Sequence, residues 1–157
     1  MGWLKPKTSL HDGRVSWEGS RKELKIYREA FEGKFLDSTE AFYAKKAATW
    51  IITNNVSEYI KHVNDSLDLE KEYGKNFLED TTTKLSIDRI VDQLVSRHAS
   101  VLVEAETGCD FMFDGLRLEQ LHNMYRAFKH DADSLKLMVK KMADYIKKKG
   151  MILIEDV

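Results

Sequence analysis

The sequence predicts an all-α protein, an elongated bundle of about five antiparallel helices. Three observations predict it. The only proline in the 157 residues is Pro6, so beyond it every residue keeps the backbone N–H that a helix uses. After the first turn-rich stretch, apolar side chains recur at three- and four-residue spacing, the period of a helix with one buried face. Hydrophobic residues make up 43% of the chain and charged residues 32%, a globular balance that is far from disorder.

Residues 1–19 carry Pro6, Gly13 and Gly19 with the isolated Trp3 and Trp17, and read as an irregular lead-in. The first helix starts at Ser20, where Ser20-Arg21-Lys22-Glu23 has the form of a capping box: hydroxyl and carboxylate each take an orphan backbone N–H. Leu24, Tyr27, Phe31, Phe35 and Phe42 hold one face, and Leu36, Tyr43, Ala47, Trp50 and Ile51 form a second stripe beside it. Only Gly33 weakens the run before Asn54-Asn55, at about 1 kcal/mol relative to Ala. A helix of roughly 30 residues is about 45 Å long, too long for a compact ball of this size, hence the elongated shape.

A second helix, Val56 to Leu78, is lined by Val56, Tyr59, Ile60, Val63, Leu67 and Phe77, with Asp68, Glu70, Lys71, Glu72 and Lys75 towards solvent. Glu79-Asp80-Thr81-Thr82-Thr83 reads as a turn rich in capping side chains. The third helix carries Leu85, Ile90, Val91, Leu94, Val95, Val101 and Leu102 and ends before Gly108; its β-branched residues allow a strand, but the spacing is helical. Between Gly108 and Gly115, Cys109 to Asp114 form a connector with an apolar plug. The fourth helix presents Leu118, Leu121, Met124, Tyr125 and Phe128. Asp131 or Asp133 caps a fifth, which presents Leu135, Met138, Val139, Met142, Tyr145 and Ile146. Lys147-Lys148-Lys149 then sits at the negative helix end, with Gly150 as the residue just past it. The tail 151–157 is apolar for a free terminus.

The inventory of chemistry-bearing motifs is empty, and no catalytic, cofactor-binding or metal-ligating residue is nominated. His122 and His130 lie eight residues apart with no acid at ligand spacing, and His98 falls on the apolar face of the third helix as a core or boundary residue. Asp131-Ala132-Asp133-Ser134 opens like a calcium loop, but Lys136 stands where glycine is required and Met142 where glutamate is. The glycines fit no phosphate-cradling pattern. Cys109, the single cysteine, has no disulfide partner and reads as an inert buried thiol. The net charge of -1 gives no global reason to expect nucleic acid or an anionic membrane, and the basic run Lys140 to Lys149 reads as a solvated face. No run approaches the roughly 20 apolar residues of a membrane span. The start lacks a signal peptide, and Asn55-Val56-Ser57 and Asn64-Asp65-Ser66 are glycosylation patterns that matter only in a secreted chain, so the expectation is cytosolic or nuclear. Phe31, Phe35, Phe42, Tyr43 and Trp50 are expected mostly in the core, with any exposed remainder acting as a contact surface.

Several ordered segments resemble the cullin family. Phe31-Glu32-Gly33-Lys34-Phe35-Leu36-Asp37-Ser38-Thr39, followed by Phe42-Tyr43, looks like the long helix of a cullin repeat. Ser57-Glu58-Tyr59-Ile60 with Leu67 and Glu70 is similar to the next helix, and Leu118-Glu119-Gln120-Leu121-His122-Asn123-Met124-Tyr125-Arg126 to the family's Asp-Leu-x-x-Met-Tyr-Arg segment. Tyr145-Ile146 with Gly150 resembles the start of a further repeat, and residues 47–51 and 106–109 look closest to plant-type cullins. The resemblance covers residues 22–150 and gives three segments: lead-in 1–19, a cullin-repeat-like domain 20–150 and a tail 151–157. It implies a non-catalytic scaffold segment associated with cullin-RING ubiquitin ligase assembly and ubiquitin-dependent degradation, with adaptor, RING or regulator subunits as partners and no cofactor. No counterpart is found to the adaptor-docking repeat or the C-terminal cullin-homology region, so the expectation is a truncated cullin-like product. A stand-alone helical interaction module unrelated to ubiquitin is the alternative.

Overall fold

The computed structural model describes residues 17–155, with side chains described for residues 21–151. Expectations for residues 1–16 and 156–157 lie outside the described residues. Along the chain run α1 (Trp17–Thr53), α2 (Val56–Phe77), α3 (Asp80–Val91), a π-helical segment (Asp92–Ser96), α4 (Ala99–Glu104), α5 (Cys109–Asp114), α6 (Leu118–Phe128) and α7 (Ala132–Glu155). All regular structure among the described residues is helical, as predicted, and α2 to α7 pack into a bundle. The chain divides into two compact units, Met1–Asp37 and Ser38–Val157.

The core belongs to the second unit. Tyr43 and Ala47 of α1, then Val56, Tyr59, Ile60, Val63 and Leu67 of α2, meet Ile90, Leu94 and Val95, with Leu102, Cys109, Met112, Met124 and Phe128 completing it. α2 packs on α3 and α6, and α7 packs across α4, α5 and α6. Of the two α1 stripes, the second is the buried one: Leu36, Tyr43 and Ala47 are buried, with Trp50 and Ile51 packed on the core. The first stripe was expected inside and is not, since Leu24, Tyr27, Phe31 and Phe42 are all about half exposed. Most of that stripe precedes Ser38, where the core-bearing unit begins.

Helix boundaries supply the other corrections. α1 is already helical at Trp17, so Ser20 lies inside the helix rather than at its cap. The third expected helix is three pieces, α3, the π segment and α4, because a one-residue insertion disturbs the ladder without disturbing the average apolar period. Asp80 to Thr83 belong to the first turn of α3, leaving only Leu78-Glu79 as the link. The connector 109–114 is the short helix α5, and its plug is real: Cys109, Met112 and Phe113 are buried. Gly150 does not end the last helix, which runs on to Glu155; the glycine holds no left-handed turn, and an interior glycine costs only about 1 kcal/mol. Phe77, Leu85, Val101, Leu118 and Tyr125, all expected on inner faces, are exposed.

The connections are fixed by specific hydrogen bonds. Asn55 caps α2, its Oδ1 accepting from the Glu58 N–H at 2.9 Å, while the Thr107 hydroxyl accepts from the Val56 N–H at 3.1 Å. Asn64 is buried on α2 and donates to the Asn123 carbonyl of α6 at 3.0 Å, so this glycosylation pattern is a packing contact. Of the two caps proposed for α7, Asp131 serves: its Oδ2 accepts from the Ser134 N–H at 3.3 Å and from the hydroxyls of Ser134 and Ser96.

Candidate functional site

No interior site emerges from the residues that could make one. His62 stacks on Trp50, ring centroids 4.6 Å apart and 12° from parallel, at the α1–α2 junction. His98 precedes α4, its ring 6.2 Å from that of Tyr59 in an edge-to-face arrangement; burial, aided by the Arg97 charge, holds its pKa below the usual imidazole value. His130 follows α6, and burial together with Lys71 and Lys129 also lowers its pKa. These rings lie on different elements, and among the described residues no group of three or more His, Cys, Asp or Glu is placed to hold a metal ion. Cys109 is fully buried 3.4 Å from the Met124 sulfur, and burial with the neighbouring Asp110 charge pushes its thiol up to about 11. A thiol in that state is a packing residue and not a nucleophile.

A polar cleft lies between α5 and α7. Lys141 reaches Glu104 at 3.0 Å and Asp110 at 3.6 Å, Lys149 reaches Asp114 at 3.4 Å, and the Tyr145 hydroxyl donates to Asp114 at 2.7 Å. The Tyr145 hydrogen bond, with Lys149, holds the Asp114 carboxyl below its ordinary range, and Glu104 and Asp110 raise Lys141. Each charge in this set answers another, so the cleft fastens α7 to the bundle.

What remains is surface. In the first unit, α1 shows Leu24, Tyr27 and Phe31 to solvent, with Phe31 stacked on Phe35 at 5.8 Å. In the second unit, Leu116 and Leu118 protrude at the α5–α6 turn, where Leu116 takes a left-handed φ of 49°, and the Arg117 guanidinium lies 4.4 Å from the Phe111 ring centre. α7 shows Val139, Met142 and Ile146. Periodicity marked most of these residues as apolar-face members; it carried no signal for which apolar face would be left uncovered. The aromatic remainder anticipated on α1 is present, and larger than expected. Among the described residues the core is closed, and apolar rows on α1 and α7 face solvent.

A family model described as the cullin alpha solenoid domain matches residues 9–157. Human Cullin-4A is 27% identical over 136 residues, covering 87% of this chain and 18% of the relative. From Arabidopsis thaliana, a putative cullin-like protein 1 is 27% identical over 134 residues (85% and 19%), and Cullin-2 is 28% identical over 134 residues (85% and 18%). The chain thus spans less than a fifth of the length of these relatives. Human and plant relatives match at the same level, so no plant subtype is singled out.

Proposed function

The chain belongs to the cullin family, and on that premise we propose that it is a non-catalytic helical scaffold segment serving cullin-RING ubiquitin ligase assembly and ubiquitin-dependent protein degradation. The observation that carries the reading is the match of the cullin alpha solenoid model to residues 9–157, nearly the whole chain. The structure supports it with a closed apolar core, ion pairs that tie α7 to α4 and α5, and apolar rows on the outside. In this reading residues 20–150 form the repeat-like domain, its partners are protein subunits of ligase complexes, and its place is the cytoplasm or nucleus. Among the described residues no helix is long and apolar enough to cross a membrane.

The test is a pull-down of the purified chain against a Skp-type adaptor, a RING subunit and a cullin-binding regulator, with a complete cullin as control. Stoichiometric capture of at least one is the expected outcome. No capture beside a working control sinks the assembly role and leaves a helical module with other partners.

A further inference from the structure

Independently of the family reading, two links of the bundle meet at one point. Residues 97–98 join the π segment to α4, and residues 129–131 join α6 to α7. The Ser96 hydroxyl donates to Asp131 Oδ2 at 3.0 Å and ties the two links together. Each link also carries a half-buried histidine, His98 in one and His130 in the other. The His98 ring meets the Tyr59 ring of α2, and Arg97 stands beside it. Asp92, in the same turn, is paired with that arginine at 3.2 Å. His130 feels Lys71 and Asp68 of α2, together with Arg126 and Lys129 at the end of α6. Asp68 is paired with Arg126 at 3.3 Å. Asp131, the next residue, accepts from Ser96 and from the hydroxyl and N–H of Ser134.

We propose that this junction is an acid-sensitive latch: protonation of His98 and His130 parts the two links and frees the start of α7, while the packing of α2 on α3 stays closed. A proton on either ring places a cation in a half-buried site whose acidic neighbours are already paired. In the open junction both rings reach water, so the proton favours opening. The folded pKa of each imidazole lies below its ordinary value, so the closed junction binds fewer protons than the open one. Its stability is therefore whole above the ordinary imidazole value and is lost as pH falls below it, towards the folded values. Asp131 does not produce the same response, because its carboxyl is held below the usual carboxylate range and gives way only at lower pH.

The experiment is amide hydrogen exchange of the full chain from about pH 7.5 to about pH 5.5, corrected for the intrinsic pH dependence of exchange. Protection of residues 96–102 and 129–135 should fall by at least roughly fivefold, while residues 60–67 of α2 keep theirs. The double variant His98→Gln/His130→Gln has no titrating ring at either position and should lose that pH dependence. If it fails to fold, titration of the histidine ring protons of the unaltered chain by NMR decides alone. Protonation of His98 and His130 in step with the loss of protection supports the latch; protonation of both with no loss of protection overturns it. Unchanged protection in the unaltered chain, the same fall in the double variant, or an equal fall in every helix overturns it as well.

Discussion

Tyr59 does the work of a missing backbone donor. In a regular helix the His98 N–H would donate to the Leu94 carbonyl; here it donates to Val95 at 3.1 Å, and the Arg97 N–H reaches back to Asp92 at 3.2 Å. The buried Tyr59 hydroxyl donates to the Leu94 carbonyl at 2.6 Å, and burial raises its pKa. Tyr59→Phe should therefore cost about 1–3 kcal/mol in denaturant unfolding, the range for orphaning a buried acceptor. Asp131 acts at the same scale. Its acceptance from Ser134, with Ser96, holds its carboxyl below the usual range, so its contribution is complete above the unfolded carboxylate pKa and is lost as pH falls through the lower folded value. Asp131→Ala should destabilise the neutral-pH protein by about 1 kcal/mol, and the gap from wild type should close on acidification, read from urea midpoints across pH.

Glycines at the level of the element give predictions of opposite sign. A Cβ on Gly108 would lie 2.5 Å from the Leu102 carbonyl oxygen and 2.7 Å from that of Val103, where the α4–α5 link passes close to its own backbone. Gly108→Ala should cost about 1–3 kcal/mol in thermal or chemical unfolding. Gly150 lies inside α7 with open space where a Cβ would go, so Gly150→Ala should stabilise the protein by roughly 0.5–1 kcal/mol. The second result also separates a continuous α7 from one that stops at Gly150, since alanine in a left-handed cap would be destabilising instead. Elements were legible where the apolar period was unbroken: α2, α6 and most of α7 fall where their spacing put them. The break at residues 92–98 was not, because one extra residue leaves the apolar side chains on the same side. Asn55 was a missed signal; an Asn ahead of Val56 with Glu58 three residues on is a legible helix start.

For the molecule as a whole, every buried member of the core cluster lies between Tyr43 and Phe128. A chain beginning at Ser38 should consequently keep a cooperative thermal transition and a helix-dominated circular-dichroism spectrum; a broad, non-cooperative melt would show that the first unit is required. The family resemblance was readable from the order and spacing of its motifs, and the family match agrees with it. By itself the sequence determined the helical class, the position of most helices and the set of apolar residues, because those follow from the lack of proline beyond Pro6 and from a local period. Only the tertiary structure decided which apolar rows are core and which are surface. An amphipathic helix specifies that one side seeks cover, but α1 carries two apolar stripes and α7 a broad one. The choice between them is made by which neighbours the folded chain brings alongside.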